Sequence, residues 1–197
     1  MPLYSAVADS PAQTGRAKTI YFELHVLGMG DSGTTAQPRS RFDLGHRQEE
    51  ADAGIAIGFF APPYPSWRLP GWQRGSLGVH GDDGRRYVND TFGGMDFTNA
   101  FKIGETVGIG ITYTVPRMGP QFGLDASVFF TRNGRKDGGW DLHEQLDEKI
   151  EGGVKGLEGD FDLFAAVGVF GAAEFEVRFS PEQWIFNPYH SGGEWAR

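Results

Sequence analysis

Apolar and polar side chains alternate with a period of two over residues 19–27. Tyr21, Glu23 and His25 fall on one side, and Phe22, Leu24 and Val26 on the other, as in a strand with one buried face. Residues 54–60, Gly54-Ile55-Ala56-Ile57-Gly58-Phe59-Phe60, are apolar on both sides and predict a central strand. Residues 76–80 and 85–89 predict two further strands, with Asp82-Asp83-Gly84 as the turn between them. Residues 106–113 form the next. Gly108 and Gly110 share one of its faces, which predicts a neighbour packed close against it. A β-rich run, residues 127–132, ends in Asn133-Gly134 and predicts a tight hairpin. Residues 163–170 and 173–179 predict paired strands around Gly171. Helical spacing occurs at Leu142, Leu146, Lys149 and Ile150, with Asp141 as an N-cap, so one short helix is expected over 142–150.

The connecting segments differ in character. Residues 1–18 are polar and mixed, and read as an edge segment lying along the domain. Residues 28–53 and 138–160 read as insertions, as does the irregular stretch 116–125. Residues 61–72 hold Pro62, Pro63, Pro65 and Pro70, which remove backbone donors, so this is a stiff loop carrying Tyr64, Trp67 and Trp72. Many short strands and no fixed repeat predict one all-β domain over 1–197, with its core at about residues 19–187. The expected fold is a sandwich of two antiparallel sheets with at most one short helix.

Composition narrows the chemistry. Thirty glycines and 14% aromatic residues suit short strands and tight turns. A net charge of −8 argues against a phosphate-binding surface, so no nucleic-acid partner is expected. With no cysteine, disulfides and thiolate metal sites are excluded. No apolar run approaches the roughly 20 residues of a membrane span, and residues 1–10 lack the basic start and apolar run of a signal peptide. The expectation is an intracellular protein, cytoplasmic or nuclear, without membrane contact. Asn89-Asp90-Thr91 matches the glycosylation triplet by chance on that reading.

Candidate catalytic motifs each have a simpler explanation. Gly28-Met29-Gly30-Asp31-Ser32-Gly33 fits G-x-G-x-x-G after a strand. A dinucleotide site needs a helix to start there, and the following residues carry Pro38 and no apolar period. Asp82 and Asp83 are too few oxygens for a cation and suit a turn. His80, beside them, has no nucleophile motif to serve. His143 and Asp147 would share a helix face without a third ligand. Glu174 and Glu176 alternate on a strand and could in principle act on a glycan, but they suit an exposed strand face opposite Phe175, Val177 and Phe179. No catalytic residue, cofactor or metal is expected. Loops with aromatic and Arg content remain: Tyr64, Trp67 and Arg68, then Tyr87, then Val169, Phe170 and Gly171, with Trp140 as a further aromatic. Trp72 and Trp184 sit beside strands and read as plugs. Tyr64, Trp67 and Phe170 stay open between plug and ligand contact.

In order along the chain, several stretches resemble the SPRY domain. They are Tyr21-Phe22-Glu23-Leu24, Ile55-Ala56-Ile57-Gly58-Phe59, Leu69-Pro70-Gly71-Trp72, and Gly75-Ser76-Leu77-Gly78-Val79-His80-Gly81-Asp82-Asp83-Gly84. The later ones are Gly104 to Gly110, Val128 to Gly134, Leu163 to Val169 and Glu174 to Phe179. The third and fourth resemble the Ran-binding-protein-M-like subgroup, and the whole is similar to SPRY modules of filamentous fungi. The resemblance implies a bent β-sandwich, no catalytic activity, and a protein or short-peptide partner. It also implies a substrate-recognition or scaffold role, such as in a ubiquitin ligase. In members that capture Asn-containing peptides, the pocket positions match Tyr87, Val169, Phe170 and Gly171, with Phe170 standing where that group carries Trp. An Arg and a Pro before the first strand also contribute there. Asp9, Ser10 and Pro11 occupy that stretch without an Arg. The competing readings are a carbohydrate-binding or carbohydrate-cleaving sandwich, and a structural module whose insertions contact a neighbouring domain.

Overall fold

The computed structural model describes residues 1–30, 53–90, 93–116, 123–144 and 153–189. The strands are β1 (Lys18–Gly30), β2 (Gly54–Phe60), β3 (Ser76–His80), β4 (Arg85–Val88), β5 (Met95–Asp96), β6 (Thr106–Thr114), β7 (Asp125–Arg132), β8 (Arg135–Asp141), β9 (Phe164–Phe170) and β10 (Ala172–Arg178). Two five-stranded antiparallel sheets result, in the orders β10-β1-β6-β7-β8 and β5-β4-β3-β2-β9. The expected all-β sandwich is the observed fold. Among the described residues, the helical pieces are one turn at Pro11–Thr14 and a 3₁₀ turn at Pro181–Gln183.

Alternation in the sequence becomes packing between the sheets. Phe22, Leu24 and Val26 of β1, with Ile109 and Ile111 of β6 and Phe130 of β7, face Ile55, Ile57 and Phe59 of β2 and Leu77 and Val79 of β3, all fully buried. Burying such side chains is worth roughly 1.5–3 kcal/mol each relative to exposure, and fixes which face of each strand points inward. The hairpin at Asn133-Gly134 takes the left-handed backbone its turn requires, with φ of 50° and 75°.

Three boundaries differ from expectation. Gly28–Gly30 belong to β1, paired with Ala172, Ala173 and Glu174 across a bulge between Val26 and Gly28. The bulge breaks the period of two at Leu27, which is why the strand seemed to stop there. Residues 138–141 lie in β8, whose Gly138 and Gly139 pair with Phe130 and Phe129 and carry no apolar signal of their own. At the helix expected over 142–150, residues 142–144 form a turn in which the Asp141 carboxylate accepts the His143 N–H at 2.8 Å; the remainder lies outside the described residues.

Each sheet carries a cover on its outer face. Over the first lies the C-terminal segment. The Glu23 carboxylate, 1% exposed, accepts the N–H groups of Ile185 at 3.0 Å and Phe186 at 2.9 Å and the Tyr21 hydroxyl at 3.0 Å. Tyr21 stacks on Phe129 and meets Trp184 edge-on at 4.9 Å, while the Trp184 indole N–H donates to Arg178 O. Trp184 thus packs on the outer face of the first sheet and does not plug a sandwich end. A side chain at Gly108 or Gly110 would run into Tyr21 and Phe129, which explains the close packing foreseen there.

Over the second sheet lies the Pro-rich loop, residues 61–75. Tyr64 packs on Phe60 and donates its hydroxyl to Leu69 O at 2.6 Å. Leu69 and Pro70 then rest on a floor of small residues. A Cβ at Gly78 would meet Pro70 O at 2.6 Å, and one at Gly168 would meet Leu69 Cδ2 at 2.5 Å. Only glycine lets the loop come down this far. The N-terminal residues run along the start of β9, where Tyr4 bridges Leu163, so they form the expected edge segment.

Candidate binding site

The sequence at Asp82-Asp83-Gly84 builds a turn, and that turn lies between two of the expected contact residues. Gly84 has φ of 72°, and the Asp83 carboxylate accepts the Arg85 N–H at 2.8 Å and the Tyr87 hydroxyl at 2.7 Å. Among the described residues, no group of three His, Asp or Glu side chains is placed to hold a metal ion. On β4, Tyr87 stacks on His80 of β3 with centroids 4.0 Å apart, and Trp72 of the Pro-rich loop meets it edge-on at 6.3 Å. His80 donates from Nε2 to Pro70 O at 2.9 Å. Burial holds its pKa below the ordinary histidine value, against the opposing pull of Pro70 O, Asp82 and Asp83. It is a neutral ring that fastens the loop to the sheet. Burial first, and the Asp83 carboxylate second, raise the Tyr87 phenol.

On the other side of the turn, Gly54 of β2 pairs with Phe170 of β9. The Phe170 ring comes within 2.4 Å, and Asp82 Cβ within 3.3 Å, of where a side chain at Gly54 would begin. Phe170, Asp82, Asp83 and Tyr87 thus form one continuous row across the end of the second sheet. Beside Phe170, Val169 is 49% exposed and Gly171 is exposed, with φ of 65° at the turn into β10.

The same end of the sandwich gathers further apolar surface. Val26 N–H donates to Glu105 O at 2.9 Å and Gly104 N–H to Val26 O at 2.8 Å, which brings residues 103–105 beside β1. Leu27, pushed out by the bulge, is 44% exposed, and Ile103 is 60% exposed. Sequence reading missed both. An isoleucine in an otherwise polar loop was the available signal for Ile103, while a bulge leaves none for Leu27.

The expected site residues therefore divide. Val169, Phe170, Gly171 and Tyr87 come together at this end, with Tyr87 only 6% exposed, so its ring supports the row more than it meets solvent. Tyr64 sits at the opposite end of β2, where it fastens the loop. Trp67, 81% exposed, and Arg68 project from the loop between Tyr64 and Leu69, apart from the row. Trp72 and Trp140 are internal supports; Trp140 lies under the Arg86 guanidinium at 5.1 Å. Asp9, Ser10 and Pro11 lie with the start of β1 at the far end, where Asp9 pairs with Lys18 at 2.7 Å. Asn89 is 5% exposed; it accepts the Ser76 N–H and donates to Gly153 O, so its amide is engaged within the fold. Glu174 and Glu176 are exposed on the edge strand β10, and Glu176 pairs with Arg178 at 2.9 Å.

Comparison with known proteins adds a family to this geometry. No family model matches the chain. A human SPRY domain superposes over 91% of this chain and 81% of its own, with a TM-score of 0.51 and 21% identity, which shows the fold. A SPRY domain-containing protein of Schizosaccharomyces pombe is 34% identical over 85 residues, 43% of this chain and 19% of that protein. The chain has the SPRY fold and is similar in sequence to SPRY-domain proteins. Protein ssh4 of Sclerotinia sclerotiorum is similar to this SPRY module at 33% identity over 132 residues, 67% of the module. A Ran-binding protein M homolog of Arabidopsis thaliana is 33% identical over 127 residues, 64% of the module. The SPRY module spans about a fifth of the length of these curated relatives. SPRY modules are, in general, protein-interaction domains. No helix among the described residues is long and apolar enough to cross a membrane.

Proposed function

We propose that this SPRY module is a non-enzymatic binding element that captures a peptide or protein segment at the end of the sandwich where Phe170, Val169 and Gly171 meet the β3–β4 turn. The observation that carries the reading is the exposure at that end of the sandwich of the apolar side chains Leu27, Ile103 and Val169, together with the half-buried Phe170 on the outer face of β9. Surface of this kind on a rigid frame suits partner contact. Tyr87 backs the wall through Asp83. An extended ligand would lay its backbone along the turn and one side chain against Phe170. Trp67 and Arg68 are proposed contacts for a partner large enough to reach along β9 to the Pro-rich loop. Capture of this sort fits a substrate-recognition or scaffold role in a larger assembly, a ubiquitin ligase among them.

The test is selection of a random peptide library on the immobilised chain, with affinities of the selected peptides measured on variants. Phe170→Ala and Val169→Ser should each weaken binding about tenfold or more with melting temperature little changed. Undiminished binding by both, with the fold intact, would remove this end as the site.

A further inference from the structure

We infer that the ligand of this end presents a basic side chain, arginine or lysine, to Asp82 and Phe170. The inference rests on the proposed binding surface and adds its charge preference. Asp82 and Phe170 approach one another over Gly54, where no side chain separates them. The cations of β4 are engaged elsewhere. Arg85 bonds Asp96 through Nε at 3.0 Å and Gly93 O at 2.9 Å, and Arg86 pairs with Glu144. Asp83 is occupied by Tyr87 and the Arg85 N–H. Asp82 is exposed, and its carboxylate accepts no hydrogen bond from a described residue. Of the neighbouring charges, Glu174 lies across from Gly28 at the head of β10, and Lys102 is exposed on the turn beside Ile103.

An exposed carboxylate beside an aromatic ring fits one kind of group well. A guanidinium or ammonium can bond the carboxylate and rest on the ring face together, and the apolar stem of the same side chain covers the Phe170 ring. A neutral side chain gains only the apolar part. An acidic one meets Asp82 and Asp83 and is repelled, so the pair also excludes wrong partners. Exposed ion pairs are weak in free protein, but a bound segment shields this one from water and strengthens it.

The experiment uses the peptides selected on the intact chain. Arginine or lysine should be enriched at one position. Replacing it with glutamine should weaken binding about tenfold, and Asp82→Asn should weaken the basic peptide by a similar factor while leaving the glutamine peptide nearly unchanged. High salt should erase most of the difference. Peptides that lose affinity with Phe170→Ala, yet show no basic preference and bind Asp82→Asn as well as the native chain, would overturn the inference and leave the binding surface standing. Selected peptides indifferent to Phe170→Ala, or a library without binders, would overturn both.

Discussion

The two sheet covers solve one problem by different means. Over the first sheet, a buried carboxylate holds a strap by its backbone: Glu23 bonds the N–H groups of Ile185 and Phe186, and Tyr21, Phe129 and Trp184 pack around it. Over the second, Leu69 and Pro70 are seated by shape on Gly78 and Gly168, with His80 as a single polar fastening. A cover held by a polar anchor fails when the anchor is removed. A cover held by shape fails when something is added. The first depends on Glu23 as well as on the close fit of Tyr21 and Phe129 over Gly108 and Gly110, whereas the second depends chiefly on the bare floor at Gly78 and Gly168.

Four measurements sharpen that contrast. The largest loss is expected from Gly78→Ala, whose new methyl would meet Pro70 O at 2.6 Å. The loop must lift and His80 loses its acceptor, at a cost of about 3 kcal/mol in chemical denaturation. A cost under about 1 kcal/mol would mean that shape does not seat the loop. Glu23→Ala comes next, at about 2 kcal/mol, because the strap's N–H groups lose their shared carboxylate acceptor. Limited proteolysis should then cut the strap ahead of the sandwich, while Glu23→Gln, which keeps an acceptor, should lose less. No change in cleavage would show that the aromatic rings alone hold it.

The third concerns pH. The unfolded chain protonates His80 as pH falls through about 6.5, while the folded protein resists until lower pH because burial disfavours the charged ring. The unfolded state binds more protons in that window. Stability from this group is therefore complete above about 6.5 and declines as pH falls toward the lowered folded value. A His80→Gln variant, which can still donate to Pro70 O, should lose part of the acid-induced fall in melting temperature; an identical fall would assign it to other groups. The smallest effect is expected from Glu176→Gln, under about 0.5 kcal/mol, because its pair with Arg178 is exposed.

Local signals carried much of this fold. The period of two through Phe22, Leu24 and Val26, the Asn133-Gly134 hairpin and the turn at Asp82-Asp83-Gly84 are written in neighbouring residues. What stayed hidden depends on distant pairings. Nothing near Glu23 announces that residues 185 and 186 will come to rest on it. The bulge at Leu27 exists only against β10, and the two-residue β5 only against β4. The site shows the same division. Phe170 stood out by its place before Gly171, but Asp82 becomes its neighbour only because β2 sets Gly54 opposite Phe170. Tyr87 and Tyr64 are expected contacts by residue type, while burial of the one and the Leu69 O bond of the other direct both inward.

Gly171 alone separates β9 from β10, and those two strands belong to different sheets. Mechanically, that single residue is a shared corner. Under the proposed function, a partner pulling on Phe170 would draw on β9 along β2 and on β10 along β1, loading two ladders lengthwise. Lengthwise loading strains many backbone hydrogen bonds at once, whereas peeling an edge breaks them singly. Tension on a captured partner should release the partner before it opens the sandwich.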